Sequence, residues 1–298
     1  MNEDDLAILL QFGYAGITIV AGRIIVSMFF GIYIMVSGIA IWILARTGLR
    51  TRPQQIALFL QLSLLLNSIC CFLSGCAISF TDIRVLLIHS DASRSLGDRE
   101  ITLDGLRSVN HFNLIIAWTS TINLLIADTL VIWRAWAIWR GNKLAQLIWI
   151  ALGLSNTVFN ILSVTIWNFN GPGATYIEQN LYLLISFIVN ALATVAIAYK
   201  AWIHSRATSV FGKEYQRSSG GRPRVGKILW VVTESGVVFC IIQGAFFAIS
   251  IASSISSSDS STTSLLEVFH AIIQPFGIII LPYYPTVVFI VANLVGRF

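Results

Sequence analysis

The sequence predicts an all-α membrane protein, a bundle of seven transmembrane helices that forms a single domain over residues 1–298. Three observations predict this fold. Hydrophobic residues make up 56% of the 298 positions and charged residues only 11%, whereas charged residues are about a quarter of a soluble domain. Apolar stretches long enough to cross about 30 Å of hydrocarbon occur seven times along the chain. The basic residues collect at alternate ends of these stretches, as in a chain that weaves through a bilayer.

The seven predicted helices follow one another with mostly short polar linkers. We place them at about 20–45, 55–80, 112–139, 144–168, 178–203, 228–254 and 265–295. Residues 7–22 are also apolar, but only Gly22 and Arg23 separate them from the first span, which is too little for a reversal. We therefore interpret them as an N-terminal extension or a surface helix. The two long linkers are 81–111, of mixed charge, and 204–227, which is basic and contains the sequence SSGG.

Sorting the charges predicts the orientation of the chain. Fourteen of the nineteen Lys and Arg residues lie on one side of the weave, and eleven of the fourteen Asp and Glu residues lie on the other. Because cytoplasmic loops carry the excess of Lys and Arg, the N-terminus is predicted outside and the C-terminus in the cytoplasm. We expect a multi-pass protein of the plasma membrane. Its net charge of +5 reflects this orientation, so its expected partner is the lipid bilayer and not nucleic acid.

Several function classes are excluded by missing residues. The four lysines, Lys143, Lys200, Lys213 and Lys227, all lie at the predicted cytoplasmic border, so the chain lacks the mid-span lysine of a retinal protein. Only His270 lies clearly within a span, which leaves too few ligands for a seven-span zinc hydrolase. No H-E-x-x-H, G-x-S-x-G or phosphate-binding glycine loop is present. We therefore predict no enzyme, no metal site and no cofactor.

Charged residues inside the predicted spans are the first candidates for function, because a charge within a bilayer is costly. Arg134 lies roughly 7 Å and Glu234 roughly 9 Å from the cytoplasmic ends of their spans, so the two share a depth. One interpretation is a switch, an ion pair that holds two helices together until activation separates them. The alternatives are a static ion pair and an Arg134 that reaches for lipid phosphate.

Asp128 is the third such charge and lies just past the middle of its span. We expect it to bond a polar group on another helix, for example Asn67, Asn190 or a tyrosine near Tyr284. Such a contact could serve as an ion or proton site, or only hold helices together.

A ligand pocket is predicted near the outer end of the last span. Glu267, His270 and Gln274 are spaced i, i+3, i+7 and share one helix face. Three residues of other spans are expected at a similar depth: Gln243, Trp118 and Tyr182. Together they would line an outward-facing pocket for a small or lipidic ligand. The alternative is a set of hydrogen bonds between helices.

Five short strings carry a family resemblance: FGIY (30–33), IADTLVIWRAWAIW (126–139), AYKAWIH (198–204), TESGVVFC (233–240) and YYPTVVFIV (283–291). In these strings and their order the chain resembles a large family of seven-span proteins from basidiomycete fungi. The resemblance implies a receptor-like protein without an established activity. It marks these shared positions: Asp128, Trp133, Arg134, Trp136, Lys200, Glu234, Ser235, Gly236, Tyr284 and Pro285. This chain has Phe239 where the relatives have Tyr before the cysteine.

Our leading hypothesis is a receptor-like protein that senses a small or lipidic ligand from the outer side. A cytoplasmic signalling protein would bind the 204–227 loop. The D/E-R-Y and N-P-x-x-Y motifs of rhodopsin-like receptors are missing, so a G-protein-coupled mechanism is an analogy from topology. Two alternatives stay open: a transporter or channel with Asp128 as its ion or proton site, and a structural membrane protein.

Overall fold

The computed structural model describes residues 3–47, 52–84, 107–139, 141–170, 176–215, 223–256 and 281–297. Within these ranges the chain forms helices and contains no strand, which confirms the all-α prediction. The seven helices are α1 Glu3–Thr47, α2 Arg52–Ile83, α3 Arg107–Ile138, α4 Lys143–Asn170, α5 Tyr176–Tyr215, α6 Pro223–Ser256 and α7 Tyr283–Arg297.

Six of these helices are long and apolar enough to cross a membrane. The spans are Val20–Arg46, Gln54–Thr81, Asn110–Ile138, Lys143–Ile166, Tyr182–Ile203 and Thr233–Ala252. The chain is therefore a multi-pass helical membrane protein. The seventh predicted span, 265–295, lies largely outside the described residues, and its described part, α7, has 15 residues. A seventh crossing and the orientation of the termini stay predictions.

Several helices continue beyond the predicted spans. Residues 7–22 belong to α1, which runs unbroken through Gly22 and Arg23, so this stretch is a helical extension of the first span. Helix α5 continues to Tyr215 through part of the segment predicted as a linker. Hydropathy identifies only the part of a helix that is apolar enough to lie in lipid. The helix itself continues as long as its backbone hydrogen bonds do, so it can be longer than its apolar part.

The start of α4 has a local cause in the sequence. The side-chain oxygen of Asn142 accepts hydrogen bonds from the backbone N–H groups of Leu144 at 3.1 Å and Ala145 at 3.3 Å. These are N–H groups of the first helical turn, which have no partner within the helix. Asn142 therefore caps α4 and makes a short connection from α3 possible.

The helices are arranged around α3. This helix packs against α2, α4 and α5 and touches α7, whereas α6 packs against α5 and α7. Helix α7 also packs against α1, and α1 against α2. Helix α7 thus closes the bundle between α1 and α6.

The interior of the bundle contains polar as well as apolar residues, and its outer surface is apolar. Large apolar side chains such as Met35, Phe59 and Phe80 are exposed on its surface. The buried polar residues include Ser37, Gln61, Asn123, Asp128, Asn156, Asn160, Ser186, Asn190, Gln243 and Thr286. Lipid can solvate the outer surface, while the polar groups satisfy one another inside, as a bilayer requires.

Candidate functional site

Asp128 lies at the centre of the best-connected polar cluster in the described part of the chain. Its carboxylate is completely buried, with 0% of the residue exposed. Asn156 of α4 and Ser186 of α5 donate hydrogen bonds to Oδ2 at 2.8 and 2.7 Å. Asn190 of α5 donates to Oδ1 at 2.7 Å. Both carboxylate oxygens therefore have partners from neighbouring helices.

Further hydrogen bonds extend this cluster to α6. Asn190 Nδ2 also donates to Gln243 Oε1 at 3.0 Å, and Gln243 Nε2 donates to Ser186 Oγ at 3.2 Å. Within α4, Asn160 Nδ2 donates to the side-chain oxygen of Asn156 at 3.1 Å. We call the six residues the Asp128 network: Asp128, Asn156, Asn160, Ser186, Asn190 and Gln243. It joins α3, α4, α5 and α6.

Helical spacing brings these side chains together. Asn156 and Asn160 are four residues apart on α4, and Ser186 and Asn190 are four apart on α5, so each pair shares one helix face. Asp128 precedes Ile138, the end of its span, by about ten residues, or roughly 15 Å of helix. Since the hydrocarbon core is about 30 Å thick, the network lies near the middle of the membrane.

The electrostatic environment of the network is unusual for a carboxylate in a bilayer. Among the described residues, its contacts are neutral amides and a hydroxyl, and no Lys, Arg or His forms an ion pair with it. Two buried carbonyl oxygens, Asn160 Oδ1 and Asn190 Oδ1, have no hydrogen-bond donor. A carboxylate with nearby amide oxygens is chemically suited to hold a proton or a hard cation.

Metal ligands of the usual kind are not gathered in the part of the chain that the structure describes. No group of three or more His, Cys, Asp or Glu side chains comes close enough there to share an ion. All four cysteines are free. Any cation at the Asp128 network would therefore depend on one carboxylate and neutral oxygens.

Arg134 makes a second connection, between α3 and α7. Its Nη1 donates a hydrogen bond to the Tyr284 hydroxyl at 3.3 Å, and the guanidinium lies 5.7 Å from the centre of that ring. The Tyr284 ring stacks on Phe239 of α6, with centroids 4.2 Å apart and planes 15° apart. Tyr284 also interacts with the Ser235 side chain. We call Arg134, Tyr284, Phe239 and Ser235 the Arg134 cluster.

The structure does not bring Arg134 and Glu234 together. Glu234 lies on an exposed face of α6, and no ion pair joins the two residues. The arrangement of the helices explains this, because α6 packs against α5 and α7 while α3 packs against α2, α4 and α5. A similar predicted depth is therefore not enough to make the two residues neighbours, and Arg134 contacts Tyr284 instead.

The other residues predicted near Asp128 fall in different places. Asn190 is a partner of Asp128, as described above. Asn67 instead donates to Asn123 Oδ1 at 2.9 Å and to the Thr119 carbonyl, so it joins α2 to α3. The network members Asn156, Asn160 and Ser186 were not predicted. Their i, i+4 spacing within apolar runs is the sequence signal that could have found them.

The predicted ligand pocket is only partly described. Glu267, His270 and Gln274 lie outside the described residues, so their pocket stays a prediction. The side chain of Gln243 belongs to the Asp128 network. Trp118 is 37% exposed and Tyr182 is half-buried.

The positions marked by the family resemblance have distinct surroundings. Trp133 is exposed, Trp136 packs against the buried apolar cluster around Ala135, and the Lys200 ammonium lies 5.2 Å from the centre of the Trp139 ring. Gly236 allows close contact of α6 with α5, because an added Cβ would lie 2.9 Å from Thr194 Oγ1. Pro285 is buried in the first turn of α7, where a missing N–H is tolerated.

The fold and the Asp128 network define a multi-pass helical membrane protein with a buried carboxylate at its centre. Comparison of the chain with protein-family models, with curated proteins and with solved structures gives no match. The resemblance to the basidiomycete family therefore stays a prediction, and the function has to be inferred from the geometry.

Proposed function

We propose that this chain is a seven-helix, receptor-like protein of the plasma membrane that senses a small or lipidic ligand from the outer side. The observation that carries the proposal is the Asp128 network, in which one carboxylate joins four helices through neutral donors. A change in the partners of this carboxylate alters the contacts of four helices together. That is the kind of element on which a switch can be built.

The Arg134 cluster gives the network a route toward the 204–227 segment, of which α5 contains 204–215 and α6 contains 223–227. Asp128 and Arg134 are six residues apart on α3, or roughly 9 Å along the helix. Arg134 holds Tyr284, and Tyr284 stacks on Phe239 of α6. A shift of α3 that changes the bonds of Asp128 therefore also moves the contact between α3, α7 and α6. The 204–227 segment is the proposed binding site of a cytoplasmic signalling protein.

Distances between helix ends test this proposal without a known ligand. Spin labels would be placed at the exposed residues Ala137 of α3 and Trp230 of α6, each changed to Cys in a chain whose native cysteines are Ser. Asp128→Asn and Tyr284→Phe should each shift the distance distribution by about 1–5 Å, the size of helix movements in switching proteins. Pulsed electron spin resonance in nanodiscs measures this shift.

Thr157→Val is the matched control, because in the described part of the chain the Thr157 hydroxyl bonds the Gly153 carbonyl of its own helix, at 2.9 Å, and no other helix. It should leave the distribution unchanged. Identical distributions in the parent, Asp128→Asn and Tyr284→Phe, with all of them folded, would contradict a receptor-like switch.

A proton or cation transporter is the second candidate function. The observation that favours it is the buried carboxylate beside the unpartnered oxygens of Asn160 and Asn190. Proteoliposomes with an internal pH-sensitive or sodium-sensitive dye would then show flux above protein-free vesicles, and Asp128→Asn would abolish it. If no flux is measured and the spin-label distances between α3 and α6 shift, the receptor-like function is supported. If there is neither flux nor a distance shift, and Asp128→Asn is less stable than the parent, a structural membrane protein is supported.

A further inference from the structure

A groove between α1 and α2 lies apart from the Asp128 network, at the border of the membrane. It has a volume of about 360 Å³, at the low end for ligand pockets, and so suits part of a molecule better than a complete large ligand. The α1 side contributes Val20, Arg23, Ile24 and Ser27, and the α2 side contributes Cys76, Ser79, Phe80 and Ile83. Of these eight residues, Arg23 is the one that carries a charge, and Val20, Ile24, Phe80 and Ile83 are apolar.

The side chain of Arg23 is held against α2. Its Nε donates a hydrogen bond to Ser79 Oγ at 2.6 Å. The guanidinium occupies the space beside Gly75, where an added Cβ would collide with Nη1. The absence of a side chain at Gly75 and the hydroxyl of Ser79 therefore fix the cation at the wall of the groove. Among the residues whose side chains the structure describes, none accepts a hydrogen bond from Nη1 or Nη2.

None of the carboxylates that the structure describes, which do not include that of Asp82 of α2, forms an ion pair with Arg23. A guanidinium within a membrane-spanning segment is costly unless an anion or strong acceptors accompany it. Guanidinium and phosphate groups match each other in charge and in bidentate geometry. The charge of the groove thus favours a phosphate.

The depth of Arg23 indicates where that phosphate comes from. Ser79 is two residues before Thr81, the end of the α2 span, or about 3 Å along the helix. Its partner Arg23 is therefore at the border between hydrocarbon and headgroups, where phospholipid phosphates lie. Ile24 and Phe80, on either side, are exposed apolar residues that an acyl chain can contact.

We propose that the groove between α1 and α2 binds one glycerophospholipid of the bilayer, with its phosphate on Arg23 and an acyl chain along Ile24 and Phe80. The site recognises a phosphate and a hydrocarbon chain together. A free phosphate would use only the first of these contacts, and a neutral diacylglycerol only the second.

Native mass spectrometry of the full chain, purified and delipidated in neutral detergent, tests this proposal. Dioleoylphosphatidylglycerol should bind with one preferred copy, whereas dioleoylglycerol and inorganic phosphate should each bind at least about tenfold more weakly. Arg23→Gln should weaken phosphatidylglycerol binding by about tenfold or more, and Arg23→Lys by less. Gly75→Ala should also weaken it, because the new Cβ displaces the end of a flexible side chain and leaves the helices in place.

Arg46→Gln is the matched control, since Arg46 is on the same helix but stacks on Trp42, 5.1 Å from its ring, at the opposite end of the span. It should leave binding unchanged. Thermal unfolding of each variant checks that the fold is intact. Equal phosphatidylglycerol binding in the parent, Arg23→Gln and Gly75→Ala would overturn the proposal. So would parental binding of dioleoylglycerol, which would indicate an acyl-chain site, or of inorganic phosphate, which would indicate a free-phosphate site.

Discussion

Two polar regions of the interior use similar side chains in different ways. The Asp128 network joins α3, α4, α5 and α6 around a carboxylate. On the other side of the bundle, Gln61 of α2 donates to Ser37 of α1 at 3.3 Å and to Thr286 of α7 at 3.0 Å. We call these three residues the Gln61 cluster. It is neutral, and Gln61 of α2 connects α7 to α1.

The difference lies in what can change in each region. In the Gln61 cluster, the Thr286 hydroxyl lies within hydrogen-bonding distance of Gln61 Oε1 at 3.2 Å and the Pro282 carbonyl at 2.8 Å, so its groups satisfy one another at any ordinary pH. In the Asp128 network, a single proton or cation bound to the carboxylate changes the hydrogen bonds that its oxygens can accept from Asn156, Ser186 and Asn190. The comparison teaches that neutral hydrogen bonds are sufficient to hold these helices together. A buried carboxylate adds the capacity to respond.

The largest effect is expected from Asp128→Ala. This change leaves the buried donors of Asn156, Ser186 and Asn190 without their acceptor. Each unsatisfied buried group is costly, so the free energy of unfolding should fall by about 2–4 kcal/mol. Unfolding in mixed micelles with increasing dodecyl sulfate measures this loss. Asp128→Asn keeps the shape and one acceptor oxygen, and it should lose less than half as much.

If Asp128→Ala and Asp128→Asn were equally stable, the hydrogen bonds to the carboxylate would not hold the four helices. The Asp128 network would then contribute no more to stability than the neutral Gln61 cluster, which would contradict the contrast drawn between these two regions.

A smaller effect is expected where α5 and α6 approach each other beside the Asp128 network. Gly236→Ala would place a Cβ 2.9 Å from Thr194 Oγ1 and 3.1 Å from Cγ2. The two helices must separate slightly, which should lower the free energy of unfolding by about 1–3 kcal/mol. The same separation should weaken the bonds of Gln243 to α5. The unfolding titration measures the first effect, and the spin-label distance between α3 and α6 measures the second.

Gly38→Ala is a suitable control, because nothing lies within 4 Å of the added Cβ on α1. Alanine is also the better helix former, so this variant should be at least as stable as the parent. A loss equal to that of Gly236→Ala would show that any glycine substitution disturbs the bundle, and that the close approach has no special role.

Much of the fold could be predicted because a helix that crosses a bilayer has to be apolar over a known minimum length. The predicted segment 144–168 lies within α4, Lys143–Asn170, and 228–254 lies within α6, Pro223–Ser256. Bilayer thickness sets the minimum length of an apolar stretch, and sequence shows that length. It does not show where a helix ends in water, which is why α5 continues to Tyr215 beyond the predicted residue 203.

The candidate site was less predictable for a different physical reason. Depth along a span follows from counting residues, and this count predicts similar depths for Arg134 and Glu234. Which helices are neighbours, and which face each one turns inward, depend on packing among seven helices with apolar residues on all sides. The sequence therefore identified Asp128 as costly to bury, but it did not identify Asn156 and Ser186 as the donors that accompany it.

The smallest effect is expected from Gln61→Leu, which removes the neutral bonds to Ser37 and Thr286 while keeping a side chain of similar size. Hydrogen bonds between membrane helices contribute about 0.6 kcal/mol each, so the loss should be about 1 kcal/mol. Because no charge is involved, this loss should be the same at pH 5 and pH 8 in the unfolding titration. A Gln61→Leu loss that differs clearly between pH 5 and pH 8 would contradict the assignment of this cluster as a neutral one.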